Sequence, residues 1–135
     1  CMGGALTRGK TGETLEDICD SFPYFFAPRL RDYVGREAEL PFDQHFLLAL
    51  NAPRKLYVAS AAQDFWADPL SEFLGCAAAS CAWEQLGAPG LLGADRLPKS
   101  GAVLSGGMIG YHLREGEHYL SRYGWQRFLD FLEKA

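Results

Sequence analysis

Three polar side chains lie just after the two segments of this chain that are most typical of buried strands. Asp64 and Asp68 follow the apolar run KLYVASAA at 55–62. His118 follows the run IGYHLR at 109–114. A carboxylate can orient an imidazole, and the imidazole can then take a proton from a hydroxyl group, because histidine titrates near neutral pH. The pattern therefore indicates an acid–histidine pair that activates a nucleophile.

Either aspartate could supply the acid. Asp68 precedes Pro69, a combination typical of a helix start, so Asp68 has a structural task as N-cap. We find no such task for Asp64 and prefer it as the partner of His118. The alternative for His118 is a surface or capping residue at the start of the last helix. Trp66 lies between the aspartates and is either a core aromatic or part of the same sheet edge.

The nucleophile itself is missing from the pattern. An acid followed by a histidine is the second half of the α/β-hydrolase triad, in which the nucleophile comes first along the chain. No G-x-S-x-G elbow occurs in the sequence. Ser60 has no flanking glycines, Ser105 has glycines on one side only, and Cys1 is the first residue. We therefore expect only half of a catalytic apparatus here.

The remaining histidines and the cysteines favour structural roles. His45 lies in an apolar helical segment and His112 lies inside a strand, so both are expected to be structural. A metal site that includes His112 and His118 lacks the H-x-x-x-H or H-E-x-x-H spacing, and no metal is predicted. No C-x-x-C pair occurs, and buried, unreactive thiols are predicted for Cys1, Cys19, Cys76 and Cys81.

Composition limits the classes of function. A length of 135 residues indicates one domain, and 48% hydrophobic with 22% charged residues is ordinary for a globular protein. The net charge of −4 disfavours a nucleic-acid-binding surface. No apolar run reaches the roughly 20 residues of a membrane span, and no signal peptide is evident. Because the chain opens on Cys1 rather than methionine, we expect a processed product or a piece of a longer protein.

Secondary-structure signals alternate along the chain. Helices are predicted at 14–20, at 43–50 with Asp43 as its cap, at 69–86 with a stop at Gly87, and after His118. The last helix carries an apolar stripe formed by Trp125, Phe128, Leu129 and Leu132. An irregular aromatic segment is predicted at 22–42 and a long loop at 87–107. Strands that alternate with helices favour parallel pairing and an α/β fold, with functional residues at the carboxyl ends of the strands.

Long segments of the chain are similar to the C-terminal part of the glucuronoyl esterases, a carbohydrate esterase family of α/β-hydrolase fold. These segments are GGALTRGKTGET, FPYFFAP, ELPFDQHFLLALNAPRKLYVASAAQDFWADPLSEFL and GYHLREGEHYLSRYGWQRFLDF. Together they cover nearly every residue. The most specific part is DQHFLLAL continued by APRKLYVAS and then DFWADP.

The resemblance implies that residues 1–135 are the C-terminal portion of an α/β-hydrolase three-layer sandwich, without the part that bears the nucleophile. It implies hydrolysis of esters between the (4-O-methyl-)glucuronic acid of xylan and lignin alcohols, without a cofactor. On this pattern His118 is the general base and Asp64 its acid, whereas Glu13 binds sugar hydroxyls and Trp66 lines the sugar site. The partners implied are a uronate ester and the rest of the hydrolase domain, but neither nucleic acid nor a membrane, and the location implied is secreted or periplasmic.

The chain also departs from the family pattern. Family members carry the serine in a G-C-S-R-type elbow upstream of anything present here, and some carry a second acid upstream as well. The segment 88–107 is hard to align, so no role is carried over onto it. Two alternatives remain open, which are a non-catalytic remnant or carbohydrate-binding fragment, and a general lipase-like esterase.

Overall fold

The computed structural model describes residues 7–8 and 11–134. Four α-helices and three strands occur among these residues. In chain order they are α1 (Leu15–Ser21), α2 (His45–Ala49), β1 (Leu56–Ala61), α3 (Pro69–Gln85), β2 (Val103–Leu104), β3 (Ile109–Arg114) and α4 (Arg122–Glu133), with short 3-10 helices at Pro28–Tyr33 and Glu37–Glu39 between α1 and α2.

The sheet has the strand order β1-β3-β2. β1 and β3 pair in parallel over their whole length, from Leu56 opposite Ile109 to Ala61 opposite Arg114, as the sequence predicts. β2 pairs antiparallel with the other edge of β3, and Val103 lies opposite His112. β2 falls within the segment predicted as a loop, and that prediction is wrong for these two residues.

Helix α3 covers one face of the sheet. Asp68 caps it through a hydrogen bond from the Ser71 amide, and the chain leaves it through Gly87 at a φ of +77°, as predicted. The largest side chains between helix and sheet are almost completely buried, and they are Phe73, Trp83, Ile109 and Tyr111. Fully burying one such side chain stabilises the fold by roughly 1.5–3 kcal/mol. This layer is therefore the main hydrophobic core.

Helix α4 covers the opposite face, but of the predicted stripe only Phe128 packs there, half-buried beside Tyr57. Trp125, Leu129 and Leu132 are 51%, 48% and 46% exposed, whereas Phe131 is 2% exposed. Phe131 packs beside Tyr57 of β1 where Gly110 of β3 leaves room, since a Cβ on Gly110 would lie 2.4 Å from the Tyr57 ring. Phe131 and Phe128 thus face the sheet, and the other three residues of the predicted stripe face outward.

A second, smaller core holds the segment between α1 and α2. Aromatic and aliphatic side chains of residues 26–34 pack against Leu15, Ile18 and Leu40, in agreement with the prediction that this irregular segment is packed rather than a linker. Asp43 is not the cap of α2, since the helix begins at His45. The Asp43 carboxylate instead accepts hydrogen bonds from the amide and the hydroxyl of Thr7, at 2.7 and 3.0 Å.

The described part of the chain leaves apolar surface uncovered. No strand in this part pairs with the second edge of β1. Phe46 and Leu47 of α2 are exposed, as are Leu50, which follows the helix, and the outer side of α4. In the same part of the chain no helix is long and apolar enough to cross a membrane. An unpaired strand edge beside exposed apolar side chains favours association with another chain.

We expect the 135-residue chain on its own to be oligomeric or poorly stable. Light scattering should give a mass above 14.9 kDa. Ala59→Lys places a charge on the exposed side of β1 and should weaken association. Ala78→Lys, on the exposed side of α3, is the matched control and should not. A wild-type chain that is monomeric and unfolds in one cooperative transition would contradict this expectation.

Candidate active site

The loops that follow β1 and β3 bring Asp64 and His118 into contact. Nδ1 of His118 lies 2.7 Å from Oδ2 of Asp64. Oδ1 of Asp64 accepts a hydrogen bond from the Ala67 amide at 3.2 Å. A carboxylate only accepts hydrogen bonds, so the proton of this contact belongs to Nδ1, and in the neutral imidazole Nε2 then carries the lone pair. The arrangement is a histidine held ready to accept a proton on Nε2.

The parallel ladder continues beyond the strands and fixes these two loops against each other. The Ala62 amide donates to the Arg114 carbonyl at 2.8 Å, and the Gln63 amide donates to the Gly116 carbonyl at 3.0 Å. Gly116 has a φ of +97°, a backbone conformation that residues with a side chain rarely adopt. The chain therefore turns sharply between β3 and His118 and brings the imidazole back over Asp64.

Asp68 is committed to structure. Its carboxylate accepts hydrogen bonds from the amide and hydroxyl of Ser71, at 3.1 and 2.7 Å, and from the hydroxyl of Thr11 at 2.6 Å. Burial acts to raise the pKa of Asp68, but these hydrogen bonds outweigh it and hold the pKa below its ordinary value. Asp68 thus caps α3 and ties the segment at Thr11 to the loop that carries Asp64, while Asp64 is the aspartate that contacts His118.

Glu13 and Trp66 lie beside the pair. The Glu13 amide donates to the Trp66 carbonyl at 2.8 Å, and Gly12 allows this approach because a Cβ there would lie 2.7 Å from that carbonyl oxygen. Both residues line a cavity of about 620 Å³ together with Asp64 and His118. Trp66 is 59% exposed, so it is not the core aromatic considered above. The four residues singled out from the sequence therefore share one cavity.

The same cavity contains a buried carboxyl group that sequence reasoning missed. Glu72, in the first turn of α3, is buried and accepts a hydrogen bond from the Ser60 hydroxyl at 2.6 Å. Burial raises the pKa of Glu72 to about 8, and the charges of Asp64 and Asp68 act in the same direction. Glu72 is therefore largely protonated at neutral pH. Its position early in a helix is ordinary for glutamate, so only the fold reveals it.

The other histidines and the cysteines take no part in this pair. His112 is buried, its Nδ1 lies 2.8 Å from the Tyr57 hydroxyl, and burial together with the charges of Arg114 and Arg127 lowers its pKa to about 4. Cys19 and Cys76 are buried free thiols. Cys81 is free but exposed, which corrects the prediction that it is buried. Cys1 lies outside the described residues.

Nothing in the described part of the chain completes a triad. No hydroxyl or thiol among residues 7–8 and 11–134 hydrogen-bonds to His118. Ser60 is bonded to Glu72, and the Ser105 hydroxyl accepts a hydrogen bond from Lys134. Within the same residues no group of three or more potential metal ligands comes together. The site thus offers a base and its acid, and a cavity beside them.

Comparison with known proteins identifies the family. A family model described as fungal glucuronyl esterase matches residues 4–87, which is more than half of the chain. The chain belongs to the glucuronoyl esterase family. The matched range includes Glu13, Asp64 and Trp66, and ends before His118.

Individual members of the family extend the match over the rest of the chain. A carbohydrate esterase from an unknown prokaryotic organism is 41% identical over 133 residues, which are 98% of this chain and 30% of that protein. A 4-O-methyl-glucuronoyl methylesterase of Podospora anserina is 39% identical over 90 residues, which are 65% of this chain and 19% of that protein.

A solved structure agrees with the fold. A promiscuous esterase of carbohydrate esterase family 15 from a marine bacterial metagenome has a TM-score of 0.91 with this chain at 41% identity. The superposition covers 97% of this chain and 32% of that one. The predicted α/β-hydrolase fold is therefore confirmed, and the chain spans about a third or less of the length of the family members it matches.

The protonation of Glu72 predicts a pH dependence of stability. Between the ordinary pKa of 4.5 and the raised value of about 8, the folded chain holds one more proton than the unfolded chain. The free energy of unfolding should therefore fall as pH rises through this range, by at most about 1.4 kcal/mol per pH unit. Glu72→Gln keeps the group neutral and should remove this contribution, which urea unfolding of the full-length protein between pH 5 and pH 8 would measure.

The exposed Glu84 of the same helix supplies the control. Glu84→Gln should leave the pH dependence of the wild type unchanged. If Glu72→Gln and Glu84→Gln give the same pH dependence as the wild type, Glu72 is charged in the folded chain and the assignment of a neutral carboxyl group is wrong.

Proposed function

We propose that this chain supplies the general base and the acid of a serine carboxylic ester hydrolase of the glucuronoyl esterase type. The substrate would be an ester between the (4-O-methyl-)glucuronic acid of xylan and a lignin alcohol. The observation that carries the proposal is the 2.7 Å contact between Nδ1 of His118 and Oδ2 of Asp64, with Nε2 left unbonded among the described residues and the pair lining the cavity. Membership of the family supplies the reaction class.

The serine nucleophile would come from a part of the hydrolase domain that precedes these residues. Its hydroxyl would attack the ester carbonyl while Nε2 of His118 takes the hydroxyl proton, giving a tetrahedral oxyanion. Asp64 would stabilise the imidazolium formed in this step. Nε2 would then protonate the departing alcohol, leaving an acyl-enzyme. Water would attack this intermediate with His118 again as base, which releases the uronic acid and restores the serine.

Glu13 and Trp66 would hold the uronate. A carboxylate can accept hydrogen bonds from several sugar hydroxyls, and the exposed Trp66 ring offers an apolar surface to the sugar. Both line the cavity that contains His118 and Asp64, and the hydrogen bond between their backbones couples their positions. This chemistry requires neither a metal nor a cofactor. We also propose that the protein is secreted or periplasmic, where such a polymer would be met.

A second candidate is a non-catalytic, carbohydrate-binding fragment. Two observations favour it, since no nucleophile contacts His118 within the described residues and Trp66 is largely exposed. In this case the sugar would bind through Glu13 and Trp66, and His118 would be a remnant. A general esterase without preference for a uronate is a third possibility, in which Glu13 has no role.

Replacing the base separates the first two candidates. In the full-length protein His118→Ala should lower kcat for a glucuronate ester on the order of 10⁴-fold, because both proton transfers are lost. Asp64→Asn should cause a loss of similar order, because the amide favours the wrong tautomer of His118. His45→Gln, in helix α2, is the control and should retain activity. The binding fragment is favoured instead if the wild type shows no turnover and if its sugar affinity is retained in His118→Ala.

Replacing the sugar contacts separates the glucuronoyl esterase from the general esterase. Glu13→Ala and Trp66→Ala should each raise KM for a glucuronate ester, on the order of tenfold, and should leave turnover of a plain alkyl ester such as p-nitrophenyl acetate within twofold. Glu16→Ala, at the exposed start of α1, is the matched control for Glu13. A silent Glu13→Ala with both substrates would overturn the role given to Glu13.

A further inference from the structure

The guanidinium of Arg114 is wrapped by the loop that carries His118. Arg114 is the last residue of β3 and is only 9% exposed. Its Nη1 donates to the Glu115 carbonyl at 2.7 Å. Its Nη2 donates to the carbonyls of Glu117 and Tyr119, at 2.6 and 2.7 Å. The two carbonyls bound by Nη2 belong to the residues on either side of His118.

Two further contacts fit the loop to this side chain. The centre of the guanidinium lies 4.0 Å from the centroid of the Tyr119 ring, a distance at which cation and ring attract each other. A Cβ on Gly116 would lie 3.0 Å from Nη1 of Arg114, closer than nearly all such contacts. Gly116 therefore provides both the backbone conformation of the turn and the space for the guanidinium.

Arg114 is a nearly buried cation that has no counter-ion in the described part of the chain. Within residues 7–8 and 11–134 it forms no ion pair, although Arg8, Arg31, Arg36 and Arg127 each do. Burying a cation costs free energy unless other groups replace its hydration. Here the replacement consists of carbonyl dipoles of the His118 loop, so the loop conformation and the buried charge stabilise each other.

Within the described part of the chain His118 makes few contacts of its own. Its side chain is 84% exposed, and its hydrogen bond to Asp64 is the one polar contact it makes in the described part of the chain. An exposed imidazole on an unsupported turn would sample several rotamers and leave Asp64. Among the described residues, the backbone of the loop is therefore what fixes the direction of the side chain.

We propose that Arg114 is a positioning residue for His118, which holds the carbonyls on both sides of the histidine and thereby keeps Nδ1 on Asp64 and Nε2 directed into the cavity. The effect on catalysis rests on the function proposed above, whereas the effect on the His118–Asp64 contact does not. Arginine suits this task better than lysine, because a planar fork with five N–H donors can bind several carbonyls at fixed angles, whereas an ammonium group lacks that geometry.

The first test observes the His118–Asp64 contact by NMR of full-length protein whose histidines are labelled with nitrogen-15. The His118 signals are assigned as those that are lost in His118→Gln. The wild type should show His118 as the tautomer with the proton on Nδ1, and that proton should exchange slowly with water. Arg114→Met should abolish the slow exchange and shift His118 toward the other tautomer. Arg114→Lys should give an intermediate result.

Arg54→Met is the matched control, because Arg54 also binds backbone carbonyls, those of Asn51 and Leu50, at a helix end remote from the cavity. It should leave the His118 signals unchanged. The buried His112, which precedes Arg114 by two residues and faces α4, serves as the internal control of folding. Its resonances should stay present in every variant, and in Arg114→Met the pKa of His112 should rise, because the charge of Arg114 helps to lower it.

The second test is kinetic. Arg114→Met should lower kcat for a glucuronate ester about 10- to 100-fold, with KM within twofold, because the base is misplaced and the sugar contacts are intact. Arg114→Lys should recover part of the loss, and free guanidinium ions should recover part of the loss in Arg114→Met.

The outcomes separate this inference from the proposed function. If the wild type hydrolyses no ester but Arg114→Met still releases the Nδ1 proton, the proposed function fails and the positioning role stands. If the Nδ1 proton and the tautomer of His118 are unchanged in Arg114→Met, Arg114 does not position the histidine. If the His112 signals collapse together with those of His118 in both Arg114→Met and Arg114→Lys, Arg114 serves the fold as a whole, and the inference is equally wrong.

Discussion

The parallel ladder between β1 and β3 is the interaction on which the rest of the structure depends. Six residue pairs lie in register, and because both strands run the same way their carboxyl ends meet at one edge. Asp64 lies three residues beyond the first end and His118 four residues beyond the second. The backbone bonds from Ala62 and Gln63 carry the register into the loops. A slip of one residue would exchange the two faces of a strand and separate the loops, so the helix packing and the acid–histidine contact require the same register.

The sequence patterns sufficed where a local signal and the tertiary environment agree. The strand at 109–114 and helix α3, with its Asp68–Pro69 start, were predicted at nearly the observed residues, because runs of apolar β-formers and capping chemistry are local. Helix α4 was predicted as an amphipathic helix, but of the predicted apolar stripe only Phe128 packs against the sheet. Periodicity shows that an apolar side exists, whereas the gap at Gly110 decides which residue fills it, and Phe131 does. β2 has two residues and no periodicity to detect.

The candidate site divides in the same way. Asp64 and His118 were accessible from the sequence because the order of strands determines which loops meet, and the resemblance added Glu13 and Trp66. Glu72 and Arg114 could not be identified from the sequence, because neither their residue type nor their spacing distinguishes them from a surface glutamate and a surface arginine. Their roles arise from burial, which makes Glu72 a neutral acid and makes Arg114 a cation without a counter-ion among residues 7–8 and 11–134. Burial of a single side chain depends on the whole packing and leaves little trace in local sequence.

The three carboxyl groups at this sheet edge show how the fold distributes charge. Asp68 receives hydrogen bonds from two hydroxyls and an amide, and these favour its charged form. Asp64 accepts hydrogen bonds from the Ala67 amide and from the imidazole N–H of His118. Glu72 accepts a single hydrogen bond, from the Ser60 hydroxyl, and its burial favours the neutral form of the carboxyl group. A third buried charge would repel the two aspartates in a poorly solvated place. With Glu72 neutral, the negative charge of this edge is therefore carried by two side chains. These are Asp64, which contacts His118, and Asp68, which anchors the loop that carries Asp64.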